Sequence, residues 1–240
     1  MKEKMARLFA VAILALLIPR GGSGQASSFG ASTPYQVMAP LGQYLMPDKD
    51  DEIALARSAT PVSISSEAEV MVLGHNGYET VVRGTNGFLC VVERSWGAGT
   101  ENPEFWNPRV RSPVCFNPPA ARSMAPVYLM KSKLVLAGKS KAQIVQAVDS
   151  AFETKELPAL EPGAMAYMMS RQQYLSDAAQ RWHPHLMFFV PGDAAKSWGG
   201  NLPGSPVIAA NDPEEGATIF LVWVGAWSDG TPAPRSDNDH

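Results

Sequence analysis

The sequence predicts an α+β fold: an antiparallel β-sheet built from an N-terminal three-stranded meander and C-terminal strands, with two or three helices packed on one side. Three observations carry this expectation. Alternating apolar runs separated by Asn-Gly pairs fill residues 69–94, two capped helix patterns occupy 118–155, and four further β-rich runs follow 164. Strands, then helices, then strands is the order of an α+β domain rather than of a βαβ repeat. Composition agrees, because 45% hydrophobic residues exclude wholesale disorder, while 20 Gly and 20 Pro in 240 residues exclude a coiled coil or helical bundle.

The elements follow in chain order. Lys2, Lys4 and Arg7 precede an apolar run at 8–19, and Gly24 and Ala26 follow, two apart. This is the three-part form of a secretory signal peptide, residues 1–26, cleaved after Ala26. Twelve apolar residues make only about 18 Å of helix, short of the roughly 30 Å hydrocarbon layer. The expectation is therefore export, periplasmic or extracellular, with no stable membrane insertion after cleavage. Residues 27–47, rich in Ser, Gly, Pro and Ala, read as a linker or arm, 48–227 as a single α+β domain, and 228–240 as a mobile tail.

Asp48 is an N-cap candidate for a helix reaching residue 59, with acidic residues at its start, Arg57 near its end and Pro61 beyond. The runs 69–74, 78–83 and 88–94 are separated by Asn76-Gly77 and Asn86-Gly87, pairs suited to the positive φ angles of hairpin turns. In the third run Phe88, Cys90 and Val92 share one face and Leu89, Val91 and Glu93 the other. Both faces are largely apolar, which predicts a central or doubly covered strand and brings Glu93 and Arg94 to its end, at a cleft.

Residues 96–119 form a long excursion with Trp96, Phe105, Trp106 and Cys115. A helical region from 118 to 137 should break at Pro126, and Gly138 can end it. Ser140 and Gln143 make a capping box for an amphipathic helix carrying Ile144, Val148 and Phe152. The later strands are expected at 164–169, 185–190, 206–210 and 218–224.

Charge narrows the partners. Loss of Lys2, Lys4, Arg7, Arg20 and Glu3 with the leader leaves 16 basic and 22 acidic residues, a net charge of −6. Nucleic acid and anionic lipid are poor partners for such a chain, since both draw on clustered Lys and Arg. The two cysteines, Cys90 and Cys115, invite a disulfide in an exported protein, worth about 3 kcal/mol for a loop of this size.

Chemistry-bearing groups concentrate in one polar insertion. His183 and His185, at i and i+2 on an extended segment, project to one side and are the candidate metal ligands, with Asp177 and Glu93 as carboxylates and His75 and His240 as distant histidines. The same pair with Asp177 would be the acid/base set of a hydrolase. The aspartate and histidine that metallo-β-lactamase-like enzymes carry after His-x-His are replaced by Met187 and Phe188, and the glutamate and later histidine of cupins are missing. Met165, Met168, Met169 and Met187 beside the pair raise copper(I) as an alternative to zinc, although methionine also fills cores. No nucleophile elbow, Ser-x-x-Lys pair or His-Glu-x-x-His helix occurs. Arg171, Tyr174 and Trp182, with Arg94 and Glu93, are the candidate ligand-binding groups. No cofactor is expected.

Residues 50–232 resemble an uncharacterised group of exported bacterial proteins with no assigned activity. The likeness rests on Phe116-Asn-Pro-Pro-Ala-Ala-Arg122, Leu136-Ala-Gly-Lys-Ser140, Trp182-His-Pro-His-Leu-Met-Phe-Phe189, Leu202-Pro-Gly-Ser-Pro206 and Trp227-Ser-Asp-Gly-Thr231. It implies export and one domain, and no activity. The leading expectation is an exported module binding a small molecule or peptide; the alternatives are a hydrolase or metal-dependent enzyme using His183 and His185, and an interaction or scaffolding protein.

Overall fold

Eight strands and five helices make up the computed structural model, which describes residues 35–205 and 207–234. The expected leader, residues 27–34 of the expected arm, His240 and the end of the expected tail lie outside the described residues. The chain order is α1 (Lys49–Arg57), α2 (Val62–Ser65), β1 (Glu69–Gly74), β2 (Gly77–Val82), β3 (Leu89–Glu93), β4 (Ser112–Phe116), α3 (Pro118–Ser123), α4 (Ala125–Leu136), α5 (Lys141–Glu153), β5 (Met165–Met168), β6 (His185–Pro191), β7 (Ile208–Asp212) and β8 (Ala217–Trp223). One mixed sheet holds all eight strands in the order β2-β1-β3-β4-β5-β6-β8-β7.

The fold is α+β, and its sheet is not wholly antiparallel. β1 and β2 form the expected hairpin, with Gly77 at φ 117°, but β3 lies beside β1 and parallel to it. The reason is visible in the strands. Glu79 and Thr80 of β2 are exposed, so β2 belongs at an edge, whereas Leu89, Cys90, Val91 and Val92 are all buried and need neighbours on both sides. After β2 the chain crosses the start of β1: Thr85 N donates to Glu67 O at 2.8 Å and Glu69 N to Phe88 O at 2.9 Å. At this crossing a Cβ on Gly84 would stand 2.2 Å from Glu69 N. The Asn86-Gly87 pair therefore closes no hairpin; the Asn86 amide donates to Ile64 O in α2 and accepts from Phe88 N.

β4 emerges from the expected excursion. Pro113 hid it, since proline removes a ladder donor. Asn117 N donates to Met165 O, so residues of that parity turn their backbone toward β5, and β5 pairs only Cys115 and Phe116. At Pro113 no partner is lost.

Helices cover both faces rather than one. Leu55, Ala56 and Ala59, from α1 and just beyond, pack with Val70, Val72, Cys90, Val92 and Cys115, while α3 and α4 pack on the opposite face against Leu89, Val91, Val114 and Phe116. α5 lies on α4 through Val148, Ala151 and Val127. The break between α3 and α4 falls at Met124, with Pro126 in the first turn of α4, and the Ser140–Gln143 capping box starts α5 as expected. Cys90 and Cys115 pair directly across β3 and β4 and form a disulfide. Within the expected arm Tyr44 is fully buried and donates to Trp106 O at 2.8 Å. Within the expected tail Ser228 N donates to Met169 O and Ala233 N to Gly225 O.

The β7 edge is blunted by one side chain: Asn201 donates to Ala209 O and accepts from Ala209 N, as a neighbouring strand would. No helix among the described residues is long and apolar enough to cross a membrane.

Candidate functional site

The C-terminal end of α1, the loop after β5 and the turn after β8 meet around an open cleft of about 540 Å³, lined by Ser58, Ser170, Arg171, Arg181, Ser228 and Asp229 among others. Ser58 is the C-cap residue of α1, and its hydroxyl donates to Leu55 O at 2.6 Å. Its only proton is thereby used, so the 2.6 Å contact between the Ser58 and Ser170 hydroxyls has Ser170 as donor. Gln172 N in turn donates to Ser170 Oγ. The floor is thus a closed chain, Gln172 N–H to Ser170 to Ser58 to Leu55 O, with neither hydroxyl proton directed at a base. Ser228 ties the third segment down, donating through Oγ to Ser58 O at 2.6 Å.

The rim is charged. Arg171 NH1 faces Asp229 at 3.4 Å and Thr231 Oγ1 at 3.2 Å, and Arg181 NH1 donates to Arg171 O at 3.2 Å. Hydrogen bonds from Thr231, with Arg171 adding to them, hold the Asp229 carboxyl below its usual range. The other guanidinium N–H groups of Arg171 and Arg181 have no acceptor among the described residues. They present planar donor edges suited to a carboxylate, phosphate or sulfate. The α1 C-terminus carries partial negative charge, so attraction for an anion here comes from the arginines and not from the helix.

The residues expected from sequence do not converge. His185 is buried, its ring edge-on to Trp182 at 4.8 Å between centroids, and its Nδ1 donates to His183 O at 2.7 Å. Burial lowers its pKa, leaving it neutral at pH 7. The His183 ring stacks on Trp223 at 4.8 Å, and Trp182 meets Trp223 edge-on. The pair thus borders an aromatic cluster, and among the described residues no three His, Cys, Asp or Glu side chains are grouped to hold a metal. Met168 is buried and Met187 packs against the main core, roles that fill space.

Asp177 is engaged elsewhere: Tyr35 and Tyr174 donate to it at 2.6 Å, Asn107 at 3.1 Å and Arg109 at 3.3 Å. The Tyr174 and Tyr35 bonds hold its carboxyl below the usual range, and the same contact raises the Tyr174 hydroxyl to about 12. Arg94 reaches no cleft. Its guanidinium is buried on Glu52, Tyr44 O and Val92 O. Glu93 does line a pocket, a small and partly open one shared with Glu215. Of the expected ligand-binding groups, Arg171 alone stands in the open cleft.

Sequence reading missed Ser58, Ser228 and Asp229 as site residues, because they come from segments remote from the insertion, with Ser58 112 residues from Ser170 and Asp229 58 from Arg171. The polar insertion carrying Arg171 and Arg181, and the turn 227–231, were the available signals. A larger groove runs beside Lys141, Gln146, Asp149 and Glu153 along the solvated face of α5, and the one buried polar residue in its lining, Thr100, has its hydroxyl committed to Glu214. No known protein family, curated protein or solved structure matches the chain.

Proposed function

We propose that this is an exported binding protein whose open cleft takes a small molecule or peptide by an anionic group, a carboxylate in the first instance. The observation that carries the reading is the pair Arg171 and Arg181, with free donor edges above a floor of serines whose protons are already committed. That floor supports binding without a nucleophile. The basic leader and the resemblance to exported proteins support export, and the Cys90–Cys115 disulfide accords with an oxidising compartment.

The test is calorimetry at low salt with short peptides bearing a free or an amidated C-terminus, and with small mono- and dicarboxylates. Free carboxylates bind and amidated peptides bind at least tenfold more weakly, as do free carboxylates to the Arg171→Ala, Arg181→Ala double variant. Equal affinity for free and amidated peptides, or unchanged affinity in the double variant, overturns the reading.

A further inference from the structure

On the face of the sheet opposite α1, one ammonium stands 3.7 Å from two carboxyl groups and within electrostatic reach of two more. Lys131 of α4 is fully buried, with Nζ donating to Ala98 O at 3.2 Å and standing 3.7 Å from both Glu214 and Glu215. Glu214 is held besides by Thr100, whose N–H and hydroxyl both donate to Oε1 at 2.7 Å. This contact joins segments 114 residues apart, the stretch after β3 and the turn between β7 and β8. Glu93 of β3 and Glu215 of that turn line a cavity of about 70 Å³ whose other walls include Phe116, Met124, Met187 and Phe189. Asp212 accepts from Glu215 N at 3.1 Å at the start of the same turn.

The charge count is uneven. The titratable groups facing the cavity and its lysine are Glu93 from β3, Tyr128 and Lys131 from α4, Tyr78 of β2 behind Tyr128 with the two hydroxyls 2.6 Å apart, and Asp212, Glu214 and Glu215 from the β7–β8 turn. The 95–100 segment contributes no ionisable side chain. Arg94, next to Glu93 in sequence, points away and is spent on Glu52. A single ammonium beside four carboxyls in largely apolar walls cannot neutralise them all, and an uncompensated carboxylate there is costly.

We propose that Glu93, Glu215 and Lys131 form a protonation-dependent clasp, which holds the β7–β8 turn against α4 and the 95–100 segment while the carboxyls keep their protons and releases it on their ionisation. Burial, then the neighbouring Glu215 charge, raises Glu93 to about 8, and burial raises Glu215 to about 7, with Lys131 opposing both. The folded state therefore retains protons that the unfolded chain has lost above its ordinary value near 4.5. The clasp is fully closed below that pH and loosens as pH rises toward 8. The device is independent of the arginine cleft.

The reporter is the Thr100 amide, which donates to Glu214. Its hydrogen exchange is measured from pH 5 to 8.5, corrected for intrinsic base catalysis, with the Asn117 amide on Met165 O as a remote control. The Thr100 opening constant rises by up to about tenfold per pH unit for each carboxyl that must ionise, while the control stays flat. In the Glu93→Gln, Glu215→Gln double variant, the Thr100 slope disappears. A flat wild-type slope, or an equal slope in the double variant, overturns the proposal. Carboxyl ¹³C titration of the wild-type protein decides it without any variant: midpoints of Glu93 and Glu215 above pH 6 support the clasp, and midpoints below 5 sink it.

Discussion

The Glu52 carboxylate and the Arg94 guanidinium meet 2.8 Å apart, with side-chain exposures of 2% and 0%. Glu52 Oε1 also accepts from Leu73 N, and Arg94 donates through Nε to Tyr44 O. This pair links α1, β1, the end of β3 and the 35–47 segment. Removing one partner leaves the other charge buried, so Glu52→Ala or Arg94→Ala should each cost about 3–5 kcal/mol in urea unfolding. The double variant should cost less than the sum of the two, since it leaves no orphan charge, although Leu73 N and Tyr44 O lose their partners.

The disulfide closes a separation of 25 residues across β3 and β4. Cys90→Ala, Cys115→Ala should lower stability by about 3 kcal/mol on the chain-entropy account. Denaturant midpoints with and without reductant check this: reductant should shift the wild type toward the variant and leave the variant unchanged.

Gly84 stands where the chain crosses the start of β1, with backbone atoms of Ala68 and Glu69 within 3 Å of any added Cβ. These are not flexible side-chain ends and cannot swing aside. Gly84→Ala should cost about 1–3 kcal/mol or more. It should also raise hydrogen exchange at the Glu69 amide ahead of the core of β4.

The serine chain on the cleft floor gives a prediction about chemistry as well as stability. Ser170 is fully buried, accepting from Gln172 N and donating to Ser58. Ser170→Ala leaves the Gln172 amide without its acceptor and should cost about 1–3 kcal/mol. Anion affinity, supplied by Arg171 and Arg181, should change less than threefold, and the protein should show no covalent labelling by serine-directed fluorophosphonates before or after the change.

His185 sets an acid-side dependence opposite in sign to that of Glu93. Its folded pKa lies below the ordinary 6.5, with burial as the largest cause. Below pH 6.5 the unfolded chain takes up a proton that the folded state resists, so this contribution to stability is present above 6.5 and is lost as pH falls. His185→Gln should flatten the fall in denaturant midpoint between pH 6.5 and 5. An unchanged slope would place the acid sensitivity in another group.

The hairpin of β1 and β2, the capped α1 and α5, the kink before Pro126 and β5 to β8 were all legible in the sequence. Each depends on residues within a few positions of one another: Asn76-Gly77, Asp48, Ser140 with Gln143, and runs of apolar β-formers. The parallel pairing of β1 with β3 was not legible, because a hairpin and a crossing both use a Gly-containing turn. The choice between them depended on Glu79 and Thr80 keeping β2 at an edge. β4 was concealed by Pro113, whose missing donor is harmless only because β5 stops short of it. The apolar faces of β3 called for cover on both sides, but that α1 takes the Cys90 face and α3 and α4 the other was decided by tertiary packing.

The candidate site divides the same way. Arg171 and the 170–183 insertion stood out as polar chemistry between apolar strands, while their convergence with Ser58 and Asp229 did not. Glu93 and Arg94 show the division most closely. The apolar pattern of β3 brought both to the end of a buried strand, where they were expected to line one cleft. Only the tertiary structure decided that Arg94 meets Glu52 of α1 and becomes a core ion pair, while Glu93 meets Glu215 from a turn more than 100 residues away. Periodicity encodes which side of an element is buried, because that preference acts within a few residues. The fate of a buried charge depends on the partner that offsets its desolvation, and that partner is brought by the fold.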